Sequence, residues 1–270
     1  MEKIPQDIKE LSLELKKNKF EAYLVGGCVR DLLLNREPKD WDIATNAKPE
    51  EIQKIFPENV YENSFGTVGV KTGSEESALK IVEITTYRLE GRYTDKRHPD
   101  EIKFAKTIEE DLARRDFTVN ALALSLVEGM AGEIIDPFGG QADIENKIIK
   151  AVGVPVDRFQ EDALRILRAV RFMAQLNFSI EKNTEIAIRE NANLLEFISK
   201  ERFRDEFSKI IMTDNAAKGV REMQRLGLLK YVVPELEAGV GVGQNRHHIF
   251  TVFDHNVRSL EYAEKEKFFL

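Results

Sequence analysis

The sequence holds a single cysteine, a single tryptophan and four histidines in 270 residues. A lone Cys28 excludes an intramolecular disulfide and any multi-cysteine metal site, which suits a reducing compartment. The longest apolar runs, such as residues 121–127, fall far short of the roughly 20 residues that a membrane span needs. The opening MEKIPQDIKE lacks the basic-then-apolar layout of a signal peptide. These absences lead to the expectation of a cytoplasmic protein with no membrane partner. Positive charge is also in deficit: 40 Lys and Arg against 47 Asp and Glu leave a net charge of −7. A protein that neutralises phosphates is usually basic on at least one face. Any nucleic-acid surface must therefore be local, and residues 200–230 supply one, with eight Lys or Arg against five Asp or Glu.

What is present is enough to build cores. The chain is 42% hydrophobic and 32% charged, and its length suits about two domains. Residues 5–18 carry apolar groups at helical spacing, residues 22–25 read as a short buried strand, and residues 29–34 read as a helix. Strand-like alternation recurs at 41–44, 67–72 and 80–87, and Pro49 opens a helix that runs to Phe56. The first half is thus α+β. From Asp157 onward the strand signal nearly vanishes, and helical periodicity covers 159–177, 182–193, 200–212 and 216–228. The Pro and Gly punctuation of DPFGG at 136–140 marks a hinge or turn, and the boundary between the halves is expected between 140 and 155.

The densest chemistry lies in Gly26-Gly27, then Arg30-Asp31, then Asp40-Trp41-Asp42. Aspartates two apart on a strand share one face. Two such carboxylates crowd negative charge that a cation relieves, and Mg²⁺ is typically held by one or two carboxylates plus substrate phosphates. A Gly pair that ends a strand and opens a helix offers backbone N–H groups and the helix dipole to a triphosphate. Arg30 can add a charge-assisted contact there. In the order strand, Gly-Gly, helix, strand, these residues point to nucleotidyl transfer, in which metals stabilise the attacking and leaving oxygens at phosphorus.

LVGGCVRD at 24–31 followed by KDWDIA at 39–44 resembles the first motif of the class II tRNA nucleotidyltransferases, the CCA-adding enzymes, which bacterial poly(A) polymerases share. Four further blocks agree in order: RRDFTVNA at 114–121, DPFGG at 136–140 with Asp143, EDALRILRAVRF at 161–172 and ERFRDE at 201–206. The resemblance implies a palm-like nucleotidyltransferase head with a mixed sheet at 1–145, a helical neck at 146–215 and the start of a helical body at 216–270. It assigns Mg²⁺ to Asp40 and Asp42, the incoming base to Asp162 and Arg165, nucleotide contact to Arg115 and the sugar to Asn120. Arg168 and Arg171 are expected at the triphosphate or in support of the base-reading pair. Glu83, on the strand that precedes residues 88–99, is the candidate third carboxylate.

The base assignment has its own chemical logic. On a wheel at about 100° per residue with Asp162 at the origin, Arg165, Arg168 and Arg171 sweep an arc away from a buried side of Ala163, Ile166, Leu167 and Val170. Cytosine and adenine each present an exocyclic amine donor beside a ring-nitrogen acceptor, while guanine and uracil present the reverse. A carboxylate that only accepts and a guanidinium that only donates therefore match C and A and clash with G and U.

Two segments bear on which enzyme of the family this is. Residues 88–99, polar and glycine-containing, resemble the flexible loop that family members need for adding the terminal A. FGTVGV at 65–70 lacks the basic stretch that poly(A) polymerases tend to carry there. The expected substrates are therefore CTP, ATP and tRNA lacking part or all of its 3′ CCA. The alternatives are poly(A) or A-only addition and, from another class, a catalytically poor RNA-binding fragment. Finally, residues 244–255, with His247, His248, Asp254 and His255, resemble the start of an HD-like region. It is expected to be incomplete, because the chain ends before further ligand sets could appear.

Overall fold

A computed structural model describes residues 3–61, 66–90, 102–126, 132–245 and 249–263. These divide into two units, one ending at Asn146 and one starting at Lys147.

The first unit is built on a seven-stranded mixed sheet in the order β3-β4-β5-β2-β1-β8-β9. Its strands are β1 (Tyr23–Val25), β2 (Asp42–Thr45), β3 (Asn59–Tyr61), β4 (Thr67–Lys71), β5 (Ile81–Thr86), β8 (Ala123–Ser125) and β9 (Ile134–Ile135). A separate ribbon pairs β6 (Arg88–Glu90) with β7 (Ile102–Phe104). Neighbours in the main sheet run antiparallel except β2 and β5, which are parallel and place Asp42 opposite Glu83. Helices α1 (Gln6–Lys17), α2 (Gly27–Leu33), α3 (Pro49–Ile55), α4 (Ile108–Ala113) and α5 (Gly140–Glu145) complete the unit. Leu24, Ile43, Val68, Val82 and Ile84 are fully buried at its centre. Each removes apolar surface from water, worth about 1.5–3 kcal/mol per side chain.

Two local devices fix the loops of this unit. Thr107 accepts from the Glu110 N–H to cap α4. Asp136 accepts from the N–H groups of Gly140 (2.7 Å) and Gln141 (2.9 Å) at the start of α5, so DPFGG is a capped helix start. Gly140 also has to be glycine, because a Cβ there would collide with the Thr118 carbonyl of the 3₁₀ turn Thr118–Asn120. That close approach lets Asp143 accept from the Thr118 hydroxyl at 2.7 Å.

The second unit is helical apart from a two-residue parallel pairing of β10 (Ile148–Ile149) with β11 (Ser179–Ile180). Its helices are α6 (Pro155–Glu161), α7 (Leu164–Leu176), α8 (Lys182–Glu190), α9 (Lys200–Ile211), α10 (Ala216–Arg225), α11 (Leu229–Val232), α12 (Pro234–Glu237) and α13 (Val252–Tyr262). α7 is the central element, with α9 and α10 packed against it. The α+β class expected from the sequence is thus the observed one, with helices alone after residue 180 among the described residues.

Two expectations need correction. The helix expected over 159–177 is broken: Asp162 is extended (φ −139°, ψ 106°), and its Oδ1 accepts from the Leu164 N–H at 3.0 Å. A short acceptor side chain competes with the helical backbone and starts a new helix, which apolar periodicity does not register. Asp162 therefore has no place on the α7 wheel. The buried side read from that wheel nonetheless holds, with Ala163, Ile166, Leu167 and Val170 all fully buried. The second correction concerns Asp40, which precedes β2, so only Asp42 of the pair lies on a strand.

Candidate active site

β1 ends at Val25, and Gly26 turns the chain into α2 at φ +76°, ψ −132°, a conformation costly to any residue with a Cβ. Its N–H donates to Leu122 O at 3.2 Å, which ties the turn to the neighbouring strand. A Cβ on Gly26 would lie 2.8 Å from Arg115 Nη1 and 3.9 Å from Asp42 Oδ2; one on Gly27 would lie 3.9 Å from Asp40 Oδ1. The two bare glycines are thus the floor over which both carboxylates and the Arg115 guanidinium converge. Gly26→Ala is accordingly expected to combine backbone strain of about 1–3 kcal/mol with displacement of Arg115. A melting curve and an incorporation assay should register both losses.

Burial pushes the Asp42 carboxyl up to about 7, the charges of Asp40 and Glu83 push the same way, and Arg115 opposes them. The Asp42 carboxyl therefore sits in the field of two further carboxylates. Among the described residues no three Asp, Glu, His or Cys side chains come together closely enough to hold a metal ion by themselves. The pair Asp40 and Asp42 does fit a divalent cation whose remaining ligands come from substrate phosphates, and such a cation would relieve the charge that raises Asp42. Glu83 acts on Asp42 through its charge. Cys28, beside Asp42, is fully buried and its thiol is pushed up to about 12 mainly by burial, so it offers no nucleophile.

The arginines divide in role. Arg30 is buried; its Nε donates to Asp31 at 2.9 Å and its Nη1 to Asn120 Oδ1 at 2.6 Å. Asn120 in turn donates to Asp116 at 3.3 Å. Arg30 thus orients Asn120, and its Nη2 lies 3.6 Å from where a Cβ on Gly27 would stand, beside the Gly-Gly turn. Arg115 is held from behind by Asp111, at 3.2 Å, and Asp111 also pairs with Arg114 at 2.9 Å and accepts from the Arg88 N–H at 3.2 Å. Burial alone would raise the Asp111 carboxyl, but the two guanidinia and the Arg88 N–H hold it below the ordinary carboxylate value. Asp111 is a site residue that sequence reading missed.

In the second unit, Asp162 and Arg165 each carry a counter-charge. Arg202 donates to Asp162 Oδ2 at 2.8 Å, and Arg165 donates to Glu161 Oε2 at 2.6 Å, with Glu161 also bridged to Arg158. Arg171 is buried and bridged to Glu206 at 2.9 Å, and its guanidinium lies 4.4 Å over the Phe172 ring. The Arg168 guanidinium lies 5.3 Å from the centre of the same Phe172 ring. Arg165 and Arg171 are therefore buried and ion-paired, while Arg168 is half-buried against Phe172. Glu206→Gln, which would remove a buried counter-charge from Arg171, should cost about 3 kcal/mol in denaturant unfolding.

The remaining expected features are ordinary or lie outside the described residues. Asp254 accepts from Thr251 and pairs with Arg221 at 2.7 Å, so it serves helix α13. His247 and His248, residues 91–99 of the expected flexible loop, and Phe65 lie outside the described residues. No helix among the described residues is long and apolar enough to cross a membrane.

A mixed sheet with a Gly-Gly turn and paired aspartates on adjoining segments defines a nucleotidyltransferase-type head. Residues 22–150 match the family described as "Poly A polymerase head domain", and residues 177–239 match "Probable RNA and SrmB-binding site of polymerase A". The chain belongs to the tRNA nucleotidyltransferase/poly(A) polymerase family. It is 48% identical over 216 residues to the CCA-adding enzyme of Lactobacillus delbrueckii subsp. bulgaricus, covering 80% of this chain and 52% of that protein. It is 43% identical over 263 residues to the CCA-adding enzyme of Enterococcus faecalis, covering 96% of this chain and 61% of that protein. The solved Bacillus stearothermophilus CCA-adding enzyme in complex with CTP superposes with a TM-score of 0.77 at 40% identity, over 87% of this chain and 56% of that one. A CCA-adding enzyme in complex with ATP matches at a TM-score of 0.71 and 29% identity, over 87% of this chain and 54% of that one. The chain thus spans between half and two thirds of the length of these relatives.

Proposed function

We propose that this chain is the catalytic portion of a CCA-adding tRNA nucleotidyltransferase, which extends tRNA 3′ ends lacking part or all of CCA from CTP and ATP and releases pyrophosphate. The observation that carries the reading is the Asp40 and Asp42 pair over the Gly26-Gly27 turn, with Asp42 raised to about 7 by burial and by its acidic neighbours. Two carboxylates in that state are a poor place for bare charge and a good one for Mg²⁺. When bound, Mg²⁺ would activate the primer hydroxyl and neutralise charge at the α-phosphate and the leaving pyrophosphate.

The chain's own residues do the rest. Arg115, braced by Asp111, supplies positive charge beside the Gly-Gly turn for a triphosphate. Asn120, oriented by Arg30 and Asp116, presents its amide to a ribose hydroxyl. Asp162 and Arg165 read the base, the carboxylate accepting from the exocyclic amine and the guanidinium donating to the ring nitrogen. The names of the relatives and their complexes with CTP and ATP support this choice of substrates. The head's likeness to the poly(A) polymerase head favours a second reading, addition of A alone.

The test is to incubate the protein with tRNA ending before CCA, after C and after CC, with each nucleotide singly and with Mg²⁺. Stepwise addition of C, C and A that then stops is the expected result. Runs of A without C would establish the second reading, and nucleotide or RNA binding without turnover would leave only an RNA-binding role.

A further inference from the structure

We propose that Arg202 is the positioning residue that sets base preference, by fixing the Asp162 carboxylate from helix α9; this rests on the reading of Asp162 and Arg165 as the base-selecting pair. A carboxylate has about four acceptor directions on its two oxygens. In Asp162 the Leu164 N–H engages Oδ1 at 3.0 Å and the Arg202 guanidinium engages Oδ2 at 2.8 Å. Anchored on both oxygens, the group cannot turn about its Cβ–Cγ bond, a torsion that is otherwise broad. Its remaining acceptor directions are thereby fixed in space. Discrimination by one acceptor beside one donor depends on that fixity. A carboxylate free to turn would meet the amine of C or A less often, and would let a water or a rotated geometry accommodate U or G.

Arg202 is itself built in. It sits four residues before Glu206, so both project from one face of α9. Glu206, 3% exposed, binds Arg171 of α7 at 2.9 Å. That buried bridge sets the register of α9 against α7, and the same register carries Arg202 to Asp162. The Arg202 and Asp162 side chains retain 20% and 17% exposure, enough for the carboxylate to meet a ligand.

The experiment measures equilibrium binding of CTP, ATP, UTP and GTP with Mg²⁺ to the protein and to its Arg202→Ala, Arg202→Lys and Asp162→Ala variants, alongside thermal midpoints. Taking the ratio of CTP to UTP and of ATP to GTP cancels triphosphate affinity. Arg202→Ala should lower both ratios by about tenfold, the loss of one charge-assisted hydrogen bond, and Arg202→Lys should recover part of them. Equal weakening of all four nucleotides with unchanged ratios would overturn the proposal and make Arg202 merely structural. Unchanged ratios in Asp162→Ala would overturn the base-selecting reading itself. Ratios that collapse in Asp162→Ala but stand in Arg202→Ala would remove Arg202 alone. Should Arg202→Ala fail to fold, Arg202→Gln replaces it, with the same two outcomes.

Discussion

Asp42→Asn is expected to lower incorporation of both CTP and ATP by roughly three orders of magnitude or more, the scale of several kcal/mol of lost transition-state stabilisation. The amide keeps the shape of the side chain but removes the charge a divalent cation needs. At the same time the variant should be the more stable protein without metal above neutral pH. Burial and the charges of Asp40 and Glu83 raise the Asp42 carboxyl to about 7, whereas in the unfolded chain it titrates near 4. The folded state therefore holds a proton there that the unfolded state has released. Metal-free stability should fall as pH rises from about 4 to about 7, then level off. Asn does not ionise, so at pH 8 it should gain about 1–3 kcal/mol over the wild type. An Asp42→Asn protein that is inactive and less stable at pH 8 would show that the carboxylate is not strained by its neighbours.

The same proton sets the pH dependence of metal binding. A cation must displace it, so the apparent Mg²⁺ affinity should climb with pH up to about 7 and flatten above. Titration calorimetry in buffers of different ionisation enthalpy would count the proton released. No release at pH 6 would place the cation away from Asp42.

The part of this site that is legible in the sequence is the part whose chemistry is contiguous. Gly26 and Gly27 sit between a strand and a helix, and Asp40 and Asp42 lie two residues apart, so turn, helix and carboxylates can be read together within 20 residues. Strands β1, β2, β4 and β5 are readable from their apolar alternation, whereas β3 and β6 to β9, each two or three residues long, are too short to show one. What pairs with what is not readable. The parallel pairing that puts Glu83 opposite Asp42 depends on sheet order, and the bridge from Arg202 to Asp162 spans 40 residues. The break at Asp162 is hidden for a different reason. The residues on both sides keep one apolar periodicity, and only the hydrogen bond from Leu164 N–H to the carboxylate reveals that one helix has ended and another begun. The negative net charge was uninformative for a similar cause, because many of the carboxylates it counts, such as Glu161 and Glu206, are matched to arginines inside the helical unit.

Asp111 shows most plainly what a charge count conceals, and its removal carries the largest expected stability loss. In the sequence it closes a run with Glu109 and Glu110 that looks like a solvated acidic patch, and both glutamates are exposed. Asp111 is 1% exposed and binds Arg114, Arg115 and the Arg88 N–H. Asp111→Asn would leave two partly buried guanidinia without their shared counter-charge, at a cost of about 3–5 kcal/mol. Glu109→Gln, on the exposed side of α4, should stay within about 0.5 kcal/mol of the wild type. Catalysis should suffer as well, because Asp111 is what holds Arg115 beside Gly26 and Asp42. The expected loss in kcat/KM for both nucleotides is about 10- to 100-fold, the range of a misplaced charge-assisted contact. The pH signature is opposite to that of Asp42. A carboxyl held below its ordinary value stabilises the fold at neutral pH and gives that stability up as pH falls through its folded value. The wild type should therefore lose stability in acid below about pH 4, and Asp111→Asn should show a shallower acid limb. Urea melts of the three proteins between pH 3 and pH 7 separate these outcomes. Matching stability for Asp111→Asn and Glu109→Gln would mean that Asp111 belongs to the surface after all.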